Sequence, residues 1–303
     1  MTSFEPAFIQ TFRTGKLAEK IDTAQNILTD CVLCPRQCHV DRQAEDRGIC
    51  RTGAMAMVSS FAPHFGEEAP LVGRHGSGTI FFTHCSLLCH FCQNYEISHE
   101  GWGSAVTDTQ LAAMMLDLQE RGCHNINLVT PTHVVPQILS AVHIAAQKGL
   151  NIPLVYNCGG YEQIETLRLM DGVIDIYMPD FKFWDGGIAE TTCHAPDYPE
   201  IARQAVIEMH RQCGDLIIDS EGIARRGLIV RHLVLPDDLA GTRNIMQFIA
   251  RSVSTKTYVN VMSQFRPCGQ ADKIPGLDRR LTPAEFRAAL SAAREEGITR
   301  TDS

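Results

Sequence analysis

Apolar residues along this chain recur in two rhythms, one of period near four and one of short continuous runs. In the segment up to residue 30, Ala18, Ile21, Ala24, Ile27 and Leu28 fall at helical spacing. Residues 54–76 carry several glycines and predict a connector with short extended pieces. Apolar runs then appear at Ile80–Thr83, Ile126–Thr130, Leu154–Asn157, Ile174–Met178, Leu228–Leu235 and Tyr258–Met262. Runs this short and this apolar predict strands. Amphipathic stretches separate them: the one through Leu111, Met115 and Leu118, then Val135–Gln147, Ile164–Met170, Pro199–Cys213 and Leu239–Val253. Thr107 with Gln110, and Thr282-Pro283-Ala284-Glu285, read as helix-opening capping boxes.

Strands alternating with helices imply a parallel sheet with right-handed crossovers. Six such units predict an α/β fold, a partial (β/α)6 barrel, whose chemistry gathers at the C-terminal ends of the strands. The expected organisation is an N-terminal helical segment over 1–30, a cysteine-rich segment over 31–70, the barrel core over 71–266 and a C-terminal helical extension over 267–303.

Composition narrows the class. At 303 residues the chain can bury a substantial core. A formal charge of −8, with Lys and Arg scattered, argues against nucleic acid as a partner. No apolar run is long enough to span a bilayer, and Met1-Thr2-Ser3-Phe4-Glu5-Pro6 has no basic segment leading into an apolar one. A cytoplasmic location is the expectation. Twelve cysteines then read as metal ligands sooner than as disulfides.

Seven of the twelve form two groups. Cys85, Cys89 and Cys92 have the spacing C-x3-C-x2-C and follow the first strand. Three thiolates can hold three corners of a 4Fe–4S cube and leave one iron open to a small molecule. The plainer alternative is three structural or zinc-binding cysteines, although structural zinc takes four ligands. Cys31, Cys34, Cys38 and Cys50 form the second group, able to close around a second iron–sulfur cluster or a zinc. His39, next to Cys38, reads as incidental. Cys123 and Cys213 read as small buried apolar residues, and Cys158 and Cys268 fall near the expected rim.

Polar residues stand where the strands end. The second strand closes on Thr130-Pro131-Thr132-His133, whose hydroxyls and imidazole can accept hydrogen bonds from an ammonium; an N-cap turn is the alternative. The third ends at Asn157-Cys158-Gly159-Gly160, where paired glycines allow close backbone approach. Asp180 and Lys182 alternate onto one face at the end of the fourth, as a ligand-binding or a structural ion pair. Arg231 and His232 interrupt the apolar fifth strand, and one of them is expected to point inward. Gln264 and Arg266 follow the sixth.

The cysteine triad after a first strand resembles the radical S-adenosylmethionine (SAM) superfamily. Longer stretches resemble one group within it, the radical SAM proteins described as homologues of the pyruvate formate-lyase activating enzyme. These stretches are Cys31-Val32-Leu33-Cys34-Pro35-Arg36-Gln37-Cys38, Cys92-Gln93-Asn94-Tyr95-Glu96-Ile97-Ser98, Leu128-Val129-Thr130-Pro131-Thr132-His133, Asp175-Ile176-Tyr177-Met178-Pro179-Asp180-Phe181-Lys182, Ala195-Pro196-Asp197-Tyr198-Pro199 and Arg231-His232-Leu233-Val234-Leu235-Pro236. The resemblance implies a barrel of radical SAM type, a 4Fe–4S cluster on Cys85, Cys89 and Cys92, and SAM bound beside Phe91, Thr130, Asn157, Asp180, Lys182 and Arg231. It implies an oxidoreductase that cleaves SAM to a 5′-deoxyadenosyl radical and activates or modifies a protein substrate, as glycyl-radical activases do. Radical chemistry on a small molecule or peptide, and an iron–sulfur electron carrier or scaffold without SAM cleavage, are the alternatives. The expected partners are a protein or peptide substrate and a reductant such as flavodoxin or ferredoxin. Two departures stand out: the superfamily's Gly-Gly-Glu is missing after the second strand, and His84 replaces a usual glycine.

Overall fold

The apolar runs do form a parallel sheet, in chain order. A computed structural model describes residues 4–302. Its strands are β1 (Ala56–His64), β2 (Ser77–Phe82), β3 (Ser104–Val106), β4 (Ile126–Val129), β5 (Leu154–Cys158), β6 (Ile176–Pro179), β7 (Ile217–Ile218), β8 (Ala224–Leu233) and β9 (Tyr258–Met262). Their order is β3-β1-β2-β4-β5-β6-β8-β7, with β9 on β8. β2, β4, β5, β6, β8 and β9 pair in parallel and correspond to the six expected strands. Every residue of β5 and β6 is buried. The Val and Ile content suits strands covered on both faces.

Helices cover this sheet. The two expected capping boxes are present: Thr107 opens Asp108–Glu120 with Gln110, and Thr282 opens Pro283–Glu295 with Glu285. One hydrophobic core runs from Phe8 in the first helix to Ile298. Asp175 ties the N-terminal helix to the sheet, taking the Ala7 N–H at 2.8 Å and the Leu154 N–H at 3.0 Å. Among the described residues no helix is long and apolar enough to cross a membrane.

The sequence reading is corrected at three places. The connector 54–76 contains a nine-residue strand, β1, which pairs antiparallel with β2 and β3. Its alternating burial and Pro63 hid it among glycines. β8 starts earlier, at Ala224, because β7 folds back along it as a short antiparallel edge. The helix expected over Leu239–Val253 covers Thr242–Phe248 and continues as a π turn over Ile249–Val253. The sheet is open, as expected: β2 and β9 are not hydrogen-bonded to each other. It curls far enough for Phe82 of β2 and Met262 of β9 to line one cavity. The segment between β1 and β2 reaches over to the other end, where Asn260 of β9 donates to Glu68 at 2.9 Å.

Gly160 sets how closely two strand ends approach. It lies at φ +78°, and a Cβ there would collide with the Asp180 carbonyl oxygen. Gly160→Ala is therefore expected to lower unfolding free energy by about 2–4 kcal/mol through strain and overlap. A denaturant midpoint equal to that of the wild type would refute this close approach.

Candidate functional site

The C-terminal ends of the parallel strands surround one cavity. Its lining includes Cys85, Cys89 and Cys92 together with Phe91, Thr130, Asn157, Asp180, Lys182 and Arg231. The three cysteines and the six residues expected beside SAM thus share a single cavity. Cys158 and Gln264 also line it. Cys268, Arg266, Thr132 and His133 do not.

A chain of hydrogen bonds crosses three strand ends. Lys182 Nζ donates to Asp180 Oδ2 at 2.6 Å, and Arg231 Nε donates to Asp180 Oδ1 at 2.8 Å. Arg231 also donates to Asn157 Oδ1 at 2.7 Å. Asp180 and Lys182 are therefore an ion pair that lines the cavity, shared with a second cation. Burial works against the Asp180 charge, but Arg231 and Lys182 outweigh it and hold its carboxyl below its ordinary pKa. Burial likewise opposes the Lys182 charge, and Asp180 outweighs it, leaving the ammonium firmly protonated. Glu67, from the segment after β1, sits 3.8 Å from Arg231, and burial raises its pKa. Two cations share one close carboxylate, an arrangement with room for an anionic ligand.

The cysteine loop is built from unusual backbone. His84 and Leu88 have φ of +63° and +53°. The first explains why glycine suits that position in the resembling group. The His84 ring is accommodated opposite Gly101, where any Cβ would meet it. Leu87 N–H points at Cys85 Sγ at 3.3 Å, and the Ser98 hydroxyl donates to Cys92 Sγ at 3.2 Å. Burial pushes the Cys85 thiol up to about 12. Donors aimed at sulfur, with Lys182 close to Cys89 and Cys92, suit thiolates bound to a cationic centre. This donor set, all sulfur with no carboxylate or imidazole, fits an iron–sulfur cluster. Among the described residues no three His, Cys, Asp or Glu side chains close on one point as ligands of a single ion do.

The remaining residues sort by contact. Phe91 is buried edge-on against Phe183 and Phe265, 5.9 and 6.0 Å between ring centres. Thr130 carries a φ of +61°, rare for a β-branched residue, and donates its N–H to Asn157 O at 2.8 Å. Thr132 and His133 turn away, to Glu162 at 2.6 Å and to Thr83 O at 2.9 Å. His232 is buried between Phe181 O and Thr242, so Arg231 is the inward one of that pair. His39 contacts Asp30 at 2.8 Å. Cys213 is buried and donates to Met209 O, and Cys123 is buried as well.

Five contributors were missed by sequence reasoning. The Cys193 thiol shares a hydrogen bond with Cys89. The Tyr198 hydroxyl lies 3.0 Å from both Gly159 O and Asp180 O, joining the ends of β5 and β6. Glu162 is buried under the cavity wall, taking bonds from Thr132 and from Tyr156 at 2.9 Å. Arg36 donates to Ser86 O at 3.0 Å and to Cys193 O at 2.7 Å. Arg42 is buried beside Cys31. Only the two arginines carried a readable signal, as charges within the cysteine-rich segment.

Fold and site together define an α/β protein with a cysteine-lined cavity at the C-terminal ends of six parallel strands. The chain is 33% identical over 288 residues to the uncharacterized protein MJ0674 of Methanocaldococcus jannaschii, an alignment covering 92% of this chain and 78% of that protein. It belongs to the same family as that protein. No protein-family model matches the chain. HydG, a maturase of the FeFe-hydrogenase, aligns with a TM-score of 0.46 and 15% identity over 72% of this chain. The chain spans about half the length of that structure, 48%.

Burial raises the Glu162 pKa to about 7 from an ordinary 4.5. In that window the folded protein keeps the proton and the unfolded chain loses it. Stability therefore falls as pH rises from 4.5 to about 7 and levels off above. Glu162→Gln should remove up to about 3 kcal/mol of this fall. The check is urea denaturation of both proteins at the two ends of the window. Parallel pH profiles would exclude a buried, raised carboxyl.

Proposed function

We propose that this protein holds a 4Fe–4S cluster on Cys85, Cys89 and Cys92 and acts as a radical SAM enzyme on a protein or peptide substrate, in the manner of an activase. One observation carries the reading: the three cysteines share their cavity with Asn157, Asp180, Lys182 and Arg231, brought from three further strand ends. When bound, the cluster and SAM would supply a 5′-deoxyadenosyl radical, the hard chemistry that the protein itself cannot perform.

The chain's own residues bind and orient. Lys182 and Arg231 offer cationic donors to a carboxylate, held in place by Asp180. Asn157 and Thr130 offer oxygens to an ammonium, the work that Gly-Gly-Glu does elsewhere in the superfamily. Phe82, Leu87, Phe91 and Met262 form apolar wall that sheds water from the reacting groups. The Phe91 ring, clamped by Phe183 and Phe265, supplies a rigid edge for a flat base. A one-electron reductant such as flavodoxin or ferredoxin belongs to the reading.

The test is anaerobic reconstitution with iron and sulfide, chemical reduction, addition of SAM and detection of 5′-deoxyadenosine. Product is expected from the wild type and none from Cys89→Ala. Lys182→Met should weaken SAM binding at least about tenfold, a loss of roughly 1.4 kcal/mol. An intact, reduced cluster that yields no 5′-deoxyadenosine would leave an electron carrier as the better reading.

A further inference from the structure

The segment Cys31–Cys50 folds around a buried positive charge, Arg42, that among the described residues forms no ion pair with a carboxylate. Arg42 is 1% exposed. Its guanidinium donates to Gly53 O at 2.7 and 3.1 Å and to His133 O at 2.8 Å, and its Nη1 also faces Cys31 Sγ at 3.9 Å. Carbonyls satisfy its N–H groups but do not neutralise its charge. A buried cation is costly unless an anion accompanies it. The groups beside it that can become anionic are thiols: Cys31 touches it, and Cys50 lies within its field.

The loop is shaped to bring sulfurs together. Cys31, Cys34 and Cys50 are buried. A Cβ on Gly48 would stand 2.6 Å from Cys38 Sγ, so only glycine lets the segment leading to Cys50 pass that sulfur. The next N–H, of Ile49, points at Cys38 Sγ at 3.4 Å. Backbone N–H groups aimed at sulfur stabilise thiolate more than thiol.

We infer that Cys31, Cys34, Cys38 and Cys50 bind one metal–tetrathiolate centre, whose net negative charge Arg42 neutralises from inside the fold. A zinc ion and a 4Fe–4S cube in its oxidised form both give a dianion with four thiolates, so this chemistry is common to the two. Four protons leave the thiols as the centre binds. The sulfurs do not close on one point, which a cube accommodates by giving each cysteine its own iron, whereas a zinc ion would have to draw them together. This centre is separate from the cluster on Cys85, Cys89 and Cys92 and does not rest on SAM chemistry.

The experiment uses the full chain with Cys85, Cys89 and Cys92 replaced by alanine, purified without oxygen and assayed for iron, sulfide and zinc before and after reconstitution. The expected content is about one zinc, or about four irons with matching sulfide, per chain. Zinc identifies a structural ion; iron with sulfide identifies a cluster. Arg42→Met should release the metal to a chelator about tenfold more readily, and Arg42→Lys should hold it better than Arg42→Met. Metal no higher than in a chain lacking all seven cysteines would overturn the inference. The converse chain, with Cys34 and Cys38 replaced by serine, reports the other cluster alone, so failure at one site is not mistaken for failure at both.

Discussion

Asp180 is the carboxylate on which the arrangement of the cavity turns. Each of its oxygens holds a cation, Lys182 on one and Arg231 on the other. Removing such an anion from between two largely buried cations is costly, because the charges left behind on the cavity wall are only partly screened by solvent. The carboxylate also stands where β6 and β8 continue as a single bridge between Asp180 and Arg231. The backbone of Asp180 is fixed in turn by Tyr198 and by the close pass of Gly160. Arg231 extends the network to Asn157 on β5. One side chain therefore sets the relative positions of three strand ends, and with them the polar wall opposite the cysteines.

The two cysteine segments are joined by the same kind of economy. Arg36, between Cys34 and Cys38, donates to Ser86 O and Leu87 O, which lie between Cys85 and Cys89. It also reaches Cys193 O and His194 O, and stacks over Tyr161 with 5.2 Å between guanidinium and ring centre. Arg42 holds His133 O, and the His133 ring meets Thr83 O, two residues before Cys85. The cysteine loop after β2 is thus gripped on both flanks by arginines from the N-terminal segment. Whatever orders the one segment is passed to the other through backbone carbonyls, with no direct contact between the two sets of sulfurs required.

How much of this was legible follows from what sets each feature. The six parallel strands could be read because burial on both faces demands unbroken apolar runs such as Leu154–Cys158. The capping boxes could be read because both partners lie within one turn. Asp180 and Lys182 share a face by strand alternation, so their pairing was within reach. That Arg231 would complete the pair depends on how β6 meets β8 across fifty residues, which no local pattern records. β1 was hidden for the opposite reason: an edge strand with one wetted face alternates with polar residues and tolerates Pro63. Cys193 and Tyr198 act through residues far away in sequence, and the burial that makes Glu162 matter is not recorded by its neighbours in the chain.

Backbone strain is the last piece, and its distribution has a purpose. Among the described residues, non-glycine residues with positive φ include Gln37, His39, Glu45 and Arg51 in the N-terminal cysteine segment. His84 and Leu88 lie in the second cysteine loop and Thr130 on the cavity wall. Each costs roughly 1–2 kcal/mol against ordinary backbone. Most are pinned by their own N–H groups: Gln37 to Cys34 O, His39 to Cys31 O, Arg51 to Gly48 O, His84 to Ile97 O and Thr130 to Asn157 O, at 2.8–3.1 Å. Left-handed residues turn the chain sharply, and sharp turns are what let cysteines three or four positions apart face a common centre. The hydrogen bonds offset the strain within the chain, so the bends of these loops are held by the backbone itself. Backbone turns fixed by the chain's own hydrogen bonds reduce the conformational freedom that any binding event at these loops would have to remove.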